Sequence, residues 1–540
     1  MRELDAYVAP ATPPGQSGLA VIRIAGPDAA FVADRIFCFG PAALSVRAAG
    51  SAGRNSAKVV DLAKEGKASV TGTKSLAALE GYRAAYGHLI SPTDGSLIDE
   101  AVALRFRAPH SYTGEDTVEL SVHGGSEPVR QTLAACLAVG ARAAEPGEFT
   151  RNAFLNGKLD LAQAEAVMDL IKSETDRTAQ AALDQLGGGL SAAVRQLSAV
   201  LYSVMAELEM AIEYPEHEES ELDREGVLTR LETVKGELIK LVRGYRCGKI
   251  LKQGLQVVLT GSPNVGKSSL LNCLGGVERS IVTDVPGTTR DLVDLTVDLE
   301  GVPVCLTDTA GVRESDDPVE KIGITKANEA LSRADLVLWL LSPDDCQSSK
   351  SGAKRDLMTF CRQELERLPL DKPILLVANK MDRVEFPAFF ERLKAEVLPA
   401  LAFTEAQLAA HRLLEKEQAG ETTSTEGAAV PVDRGSLQPL VLSAVDGSGV
   451  GALTAAVLLL YRSWGEAGQQ AVMVTSARHY EGLKAALELL SQVISEYAYI
   501  PLDIMAQVLA ETARRLAEIV GDSVSEQLLD EIFSRFCVGK

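Results

Sequence analysis

The sequence predicts a multidomain α/β chain: an N-terminal α+β domain, a helical domain in two pieces, and a P-loop α/β domain inserted between those pieces. Three observations predict it. The chain has 540 residues, more than one hydrophobic core supports when domains run to about 100–200 residues. Strand-like and helix-like segments alternate over residues 254–465, the pattern of a parallel sheet covered on both faces. The run GSPNVGKSSL (261–270) follows an apolar strand and opens a helix, as a phosphate-binding loop does.

Composition narrows the class. With 46% hydrophobic and 24% charged residues, the chain reads as an ordinary globular protein. Its start, MRELDAYVAPATPPG, has no basic region followed by an apolar stretch, so no secretory leader is expected. Apolar runs such as LVLWLL (336–341) fall short of the roughly 20 residues a membrane helix needs, and no membrane association is expected. The eight cysteines are scattered without a C-x-x-C pair, against both a zinc site and a disulfide framework, so a cytoplasmic location is expected. The net charge is −20, so any contact with nucleic acid rests on a local patch or on a partner.

The first domain, 1–156, carries the strand signals LAVIRIAG (19–26), IDEAVALRF (98–106) and TVELSVHGG (117–125), separated by Gly/Pro turns. A stretch rich in Ser, Ala, Gly and Lys at 45–80 reads as an insertion. From 157 to 253 the pattern turns helical, and LSAAVRQLSAVLYSVMAELEMAIEY repeats apolar residues at steps of three and four. The acidic run that follows, between Glu213 and Glu225, reads as a solvated helix end. Within 254–465 the strand candidates are 255–261, 302–308, 335–341, 373–379 and 439–444, and a helical piece with a polar tract at 405–436 breaks the rhythm as a second insertion. Residues 466–540 return to amphipathic helix, so the helical domain encloses the α/β domain.

The inserted domain carries four pieces in a fixed order. In the loop from Gly261 to Ser269, glycines let the backbone N–H groups of Asn264, Val265 and Gly266 converge on phosphates, with Ser269 in the first helical turn. Lys267 brings a point charge to the β and γ phosphates, and the Ser268 hydroxyl suits magnesium. DTAG (Asp308, Thr309, Ala310, Gly311) follows an apolar strand, where Asp308 can hold magnesium through water and Gly311 can sense the γ phosphate. NKMD (Asn379, Lys380, Met381, Asp382) supplies a carboxylate that accepts two N–H donors from guanine, a pair adenine lacks. Backbone N–H groups at Ser443 and Ala444 can reach the base oxygen. The four pieces together identify a Ras-like GTPase domain.

Many such domains place a glutamine after DxxG to orient the attacking water, but Val312 stands there and cannot do so. The loop IVTDVPGTTRD (281–291) offers oxygen ligands, with Thr289 the expected magnesium ligand of the first switch. A monovalent cation beside Asn264 would offset transition-state charge; Arg290 is the competing candidate.

TPPGQSGLAVIRIAG (12–26), SYTGEDTVELSVHGG (111–125), PGEFTRNAFLNGKLDLAQAEAV (146–167) and the terminal FCVGK (536–540) resemble hallmark stretches of the MnmE (TrmE) family of tRNA modification GTPases. The resemblance implies K+ held by Asn264, the backbone oxygens of Thr283 and Val285 and the Thr288 hydroxyl, within a GTP-contacting loop that also includes Asp284, Pro286 and Gly287. It implies that Glu320 positions the attacking water through a second water, with Lys267 as the other catalytic group. It further implies a folate-binding-like N-terminal domain that takes 5-formyl- or methylene-tetrahydrofolate between two subunits of a homodimer, at Arg23, Glu119, Lys158 and Lys540. Cys537 is either a working thiol or a small buried residue that positions Lys540. The implied partners are tRNA and the flavoprotein MnmG (GidA), which brings FAD. The implied outcome is an aminomethyl or carboxymethylaminomethyl group on carbon 5 of the wobble uridine. Val445 stands where relatives often carry Lys, and both insertions are long. A ribosome-assembly GTPase and an iron–sulfur maturation GTPase are the rival classes, the first lacking here a basic RNA-binding module and the second clustered Cys.

Overall fold

The computed structural model describes residues 4–39, 75–214, 223–277, 294–308, 327–346, 356–418, 438–464 and 472–539. The chain divides into two packing units, residues 1–168 with 520–540, and residues 169–519.

In the first unit, alternating apolar and polar residues form strands with one buried face. β1 (Tyr7–Pro10), β2 (Leu19–Ala25), β3 (Phe37–Phe39), β4 (Arg83–Ile90), β5 (Leu97–Phe106), β6 (Thr117–His123) and β7 (Arg142–Ala143) make one sheet, ordered β3-β4-β5-β6-β2-β1-β7. Along β2, Ala20, Ile22 and Ile24 point into the core, and the period of two turns Arg23 to the opposite face. Helices α1 (Ala29–Ile36) and α2 (Ser126–Val139) cover the buried face, where Val32 and Ile36 pack with Ile22 and Leu120. The expected insertion at 45–80 ends in anchored chain: Asp34 accepts hydrogen bonds from Ser75, Leu76 and Ala77, and Leu76 is fully buried.

The C-terminal tail belongs to this first unit. After α3 (Glu148–Leu155) and α4 (Leu161–Ile171), Leu161 and Met168 form a cluster with Phe533 and Phe536 around the C-terminal helix Glu526–Ser534. Pro146 bridges Val538, and Gly147 lies at φ 70° where a Cβ would stand 2.5 Å from the Phe533 carbonyl. The apolar seam of a short helix thus outweighs its place in a run of helices.

The second unit joins helices to an α/β block. Its helices before the block are α5 (Asp176–Leu186), α6 (Gly189–Glu213) and α7 (Arg224–Gln253). The block is a six-stranded sheet of β8 (Leu255–Thr260), β9 (Asp294–Leu299), β10 (Val302–Asp308), β11 (Leu336–Leu341), β12 (Ile374–Ala378) and β13 (Leu440–Val441), ordered β13-β12-β11-β8-β10-β9. All neighbours are parallel except β9, which is antiparallel to β10. β11 is buried along its whole length, as a strand covered on both faces must be. Its covering helices are α8 (Lys267–Val277), α9 (Leu357–Arg367), α10 (Phe386–Arg392), α11 (Glu405–Gln418) and α12 (Val450–Ser463).

The stretch expected as an insertion at 405–436 therefore opens with α11, a working layer of the block. Leu408 and Ala410 are buried there, and the His411 imidazole Nε2 accepts a hydrogen bond from the Leu376 N–H of β12 at 3.1 Å. After the block come α13 (Ala477–Ser495) and α14 (Leu502–Val520), and α13 packs on α7 through the stacked rings of Tyr245 and Tyr480, 4.2 Å between centroids. Helices from both sides of the block thus pack together.

Candidate functional site

The strand order reverses at β8, which has β11 on one side and β10 on the other. In open α/β sheets the crevice beyond the carboxyl ends of the strands at such a point is where ligands bind. Residues 261–267 leave β8 at that point and start α8. Gly261 and Gly266 have φ of 139° and 104°, and a Cβ on Gly261 would meet the Leu340 carbonyl at 2.3 Å. Asn264 also sits at positive φ, 68°, a region Asn tolerates better than most residues. Its side chain is exposed.

Lys267 is 5% exposed, and its Nζ donates to the carbonyls of Gly261 and Ser262 at 2.8 and 3.0 Å. Burial holds this ammonium below the usual lysine range, and the nearby carboxylates of Asp308 and Asp345 partly restore it. Ser268 Oγ donates to Asp308 Oδ2 at 3.2 Å, so a hydroxyl and a carboxylate converge at the start of the helix. Two hard oxygens so placed suit a small divalent cation.

Asn379 ties three loops together. Its amide donates to the Val265 carbonyl at 2.8 Å, and its oxygen accepts from the N–H groups of Lys380 at 2.8 Å and Ala444 at 3.1 Å. Gly266 must be glycine for this to occur, because a Cβ there would meet the Asn379 amide nitrogen at 2.2 Å. Lys380, at φ 68°, lays its ammonium on the Asn264 carbonyl at 2.5 Å. Ser443 Oγ donates to Asp382 Oδ1 at 2.7 Å, which orients the carboxylate expected to read guanine. Residues 264–268, Asp308, 379–382 and 443–444 are thus brought to one end of the sheet. Ser269 stands exposed on the first turn of α8.

Two residues of this region escaped the sequence reading. Asp344 and Asp345, in the turn after β11, contact Lys380 and Ser262 respectively. An apolar strand followed by SPDD carries no signal beyond a turn. Residues 283–290, 309–312, Glu320 and Lys540 lie outside the described residues.

In the first unit Arg23 and Glu119 face each other across β2 and β6, with Nε and Nη2 of Arg23 each 2.9 Å from Glu119 Oε1. The Tyr112 and Phe149 ring centroids each lie 5.4 Å from the Arg23 guanidinium carbon. Lys158 is exposed and donates to the Pro109 carbonyl at 3.1 Å. Cys537 is exposed, so the reading of it as a small buried residue does not hold: the tail turns Phe536 and Gly539 inward and Cys537 and Val538 outward.

A sheet of this order, with a phosphate loop at its switch point and a guanine-reading loop tied to it by Asn379, defines a P-loop GTPase of Ras-like architecture. Residues 6–158 match the family model described as "GTP-binding protein TrmE N-terminus", and residues 161–537 match "MnmE helical domain". The chain is 32% identical to the tRNA modification GTPase MnmE of Acetivibrio thermocellus over 100% of both chains. It is 35% identical to that of Enterococcus faecalis over 100% of this chain and 99% of the relative. The chain belongs to the MnmE (TrmE) family of tRNA modification GTPases. Among solved structures, Era of Aquifex aeolicus bound to GDP and aluminium fluoride aligns at 21% identity over 43% of this chain and 65% of that one, with a TM-score of 0.23. No helix among the described residues is long and apolar enough to cross a membrane.

Proposed function

We propose that this chain works as a homodimeric, potassium-dependent GTPase of the cytoplasm. With the flavoprotein MnmG (GidA), it takes part in adding an aminomethyl or carboxymethylaminomethyl group to carbon 5 of the wobble uridine of tRNA. That it is a GTPase acting in tRNA modification follows from its family. The rest is our reading, and the observation that carries it is Asn264. Its backbone lies in the left-handed region, its carbonyl accepts from Lys380, and it is exposed at the phosphate loop. Its side-chain amide would be a K+ ligand, together with the backbone oxygens of Thr283 and Val285 and the Thr288 hydroxyl. The bound ion supplies positive charge against the charge that develops on the phosphates during cleavage.

Lys267 pairs the β and γ phosphates, Ser268 and Thr289 offer hydroxyls to Mg2+, and Asp308 reaches that ion through water. Glu320 positions the attacking water. In the first unit, Arg23, Glu119, Lys158 and Lys540 are assigned to a 5-formyl- or methylene-tetrahydrofolate that carries the one-carbon unit. The paired charges of Arg23 and Glu119 beside two aromatic rings suit a flat heterocycle with a charged tail. FAD comes with the partner.

The test is GTP turnover by the full chain in potassium against sodium, with Asn264→Ala beside it. Potassium is expected to raise the rate at least about tenfold, and Asn264→Ala to remove that preference. Equal turnover in the two salts by the unsubstituted chain would sink the cation role while leaving the family assignment standing.

A further inference from the structure

The turn after β11, residues 342–346, touches both nucleotide loops through two adjacent carboxylates. Asp345 is 3% exposed, accepts from the Ser342 N–H at 2.8 Å, and accepts from the hydroxyl of Ser262 in the phosphate loop. Asp344 divides its two oxygens: Oδ2 accepts from Lys380 Nζ, and Oδ1 accepts from Arg383 Nη1 at 2.7 Å. The Lys380 and Asp344 side chains are only 14% and 19% exposed, whereas Arg383 is 42% exposed. The first pair is therefore poorly screened by water and the second is a rim contact.

Lys380 needs such a holder. Its backbone lies at φ 68°, a region lysine rarely adopts, and its ammonium must stay on the Asn264 carbonyl for the guanine loop and the phosphate loop to close as one piece. A carbonyl alone is a weak counterpart for a largely desolvated cation. The carboxylate of Asp344 completes its coordination.

We infer that Asp344 is a positioning residue for nucleotide retention: by anchoring Lys380 against the phosphate loop it slows the release of guanine nucleotide. The inference rests on the assignment of Lys380 and Asn264 to the nucleotide site. Asp344 acts through Lys380 and is assigned no contact of its own with base or phosphate.

The experiment loads the full-length protein with a fluorescent GDP analogue, chases it with unlabelled GDP, and measures KM and kcat for GTP in parallel. Asp344→Asn is expected to release the analogue about tenfold faster and to raise KM by a similar factor, with kcat within about twofold of the parent. Asp344→Glu, which restores the charge, is expected to return release toward the parent rate. The double variant Asp344→Asn/Arg383→Gln separates anchoring from charge balance. It should release as fast as Asp344→Asn, because Lys380 is still unanchored, and a return to slow release would overturn the inference. Should Asp344→Asn fail to fold, Arg383→Gln decides alone. It leaves the carboxylate to Lys380 and should hold GDP at least as well as the parent; faster release would overturn the inference. A parent that fails to bind the analogue removes the site assignment and the inference together. A parent that binds it, while Asp344→Asn releases it at the same rate, removes the inference alone.

Discussion

Asn379 holds three loops with one amide, donating to Val265 and accepting from Lys380 and Ala444. Asn379→Ala would strand a buried carbonyl and two N–H groups, each costing about 1–3 kcal/mol. GTP affinity, measured by calorimetry, is expected to fall about 100-fold or more, whereas a fall below about fivefold would mean the loops hold without it. His411 makes a second prediction. Burial pushes its pKa down to about 4, and its Nε2 accepts from a backbone N–H, an arrangement protonation would destroy. Between the ordinary value of 6.5 and about 4 the unfolded chain binds the proton and the folded chain does not. The contribution to stability is therefore complete above that window and is lost as pH falls through it, by roughly 3 kcal/mol in all. His411→Gln keeps an acceptor that does not titrate, so the fall in melting temperature between pH 7 and 5 should be shallower in that variant. At this scale, legibility followed chemistry. Lys267, Ser268 and Asp382 could be read because their spacing is dictated by phosphate and base. Asp344 could not, because its meaning comes from a lysine 36 positions away that the fold alone brings near.

Among the elements, α7 offers a controlled comparison. Gly236 has open space where a Cβ would go, while a Cβ on Gly248 would stand 2.0 Å from the Val474 carbonyl. Gly236→Ala should raise stability by about 0.5–1 kcal/mol through helix propensity alone. Gly248→Ala forces two backbones apart and should cost about 2 kcal/mol or more. Thermal or urea unfolding of the pair checks both signs, and equal effects would mean the close approach is not held in solution. The strands read from apolar runs were found, most within two residues of their ends, since burial imposes their period, whereas β1, β3, β4, β7 and β9 were not read from the sequence. The helix at 405–418 was seen as helix but not as a layer of the block. Its polar continuation hid the fact that Leu408, Ala410 and His411 face the sheet. The C-terminal helix likewise read as one more helix of the tail. Its place in the first unit depends on Phe533 and Phe536 finding Leu161 and Met168, a pairing over hundreds of residues that no local pattern announces.

For the molecule as a whole, a net charge of −20 sets the terms on which tRNA is met. With 54 Lys and Arg against 74 Asp and Glu, contact with phosphates rests on a local patch or on a partner, and a small footprint is expected. Binding of tRNA by this chain alone, followed between about 50 and 200 mM salt, should give a log–log slope of magnitude about 3 or less. A slope near 6 or steeper would reveal a concentrated basic footprint. Finally, the contact of Gly248 with Val474, with Cys247 Sγ 3.9 Å from the Tyr461 carbonyl, sets the outgoing and returning chain side by side. The nucleotide-binding block thus leaves and rejoins the helices at neighbouring points, and it touches them again where Thr175 Oγ donates to the Gly301 carbonyl at 2.9 Å. A cassette attached in this way can be excised. With residues 254–465 replaced by a short Gly/Ser connector, the remaining helices are expected to keep their circular-dichroism signature.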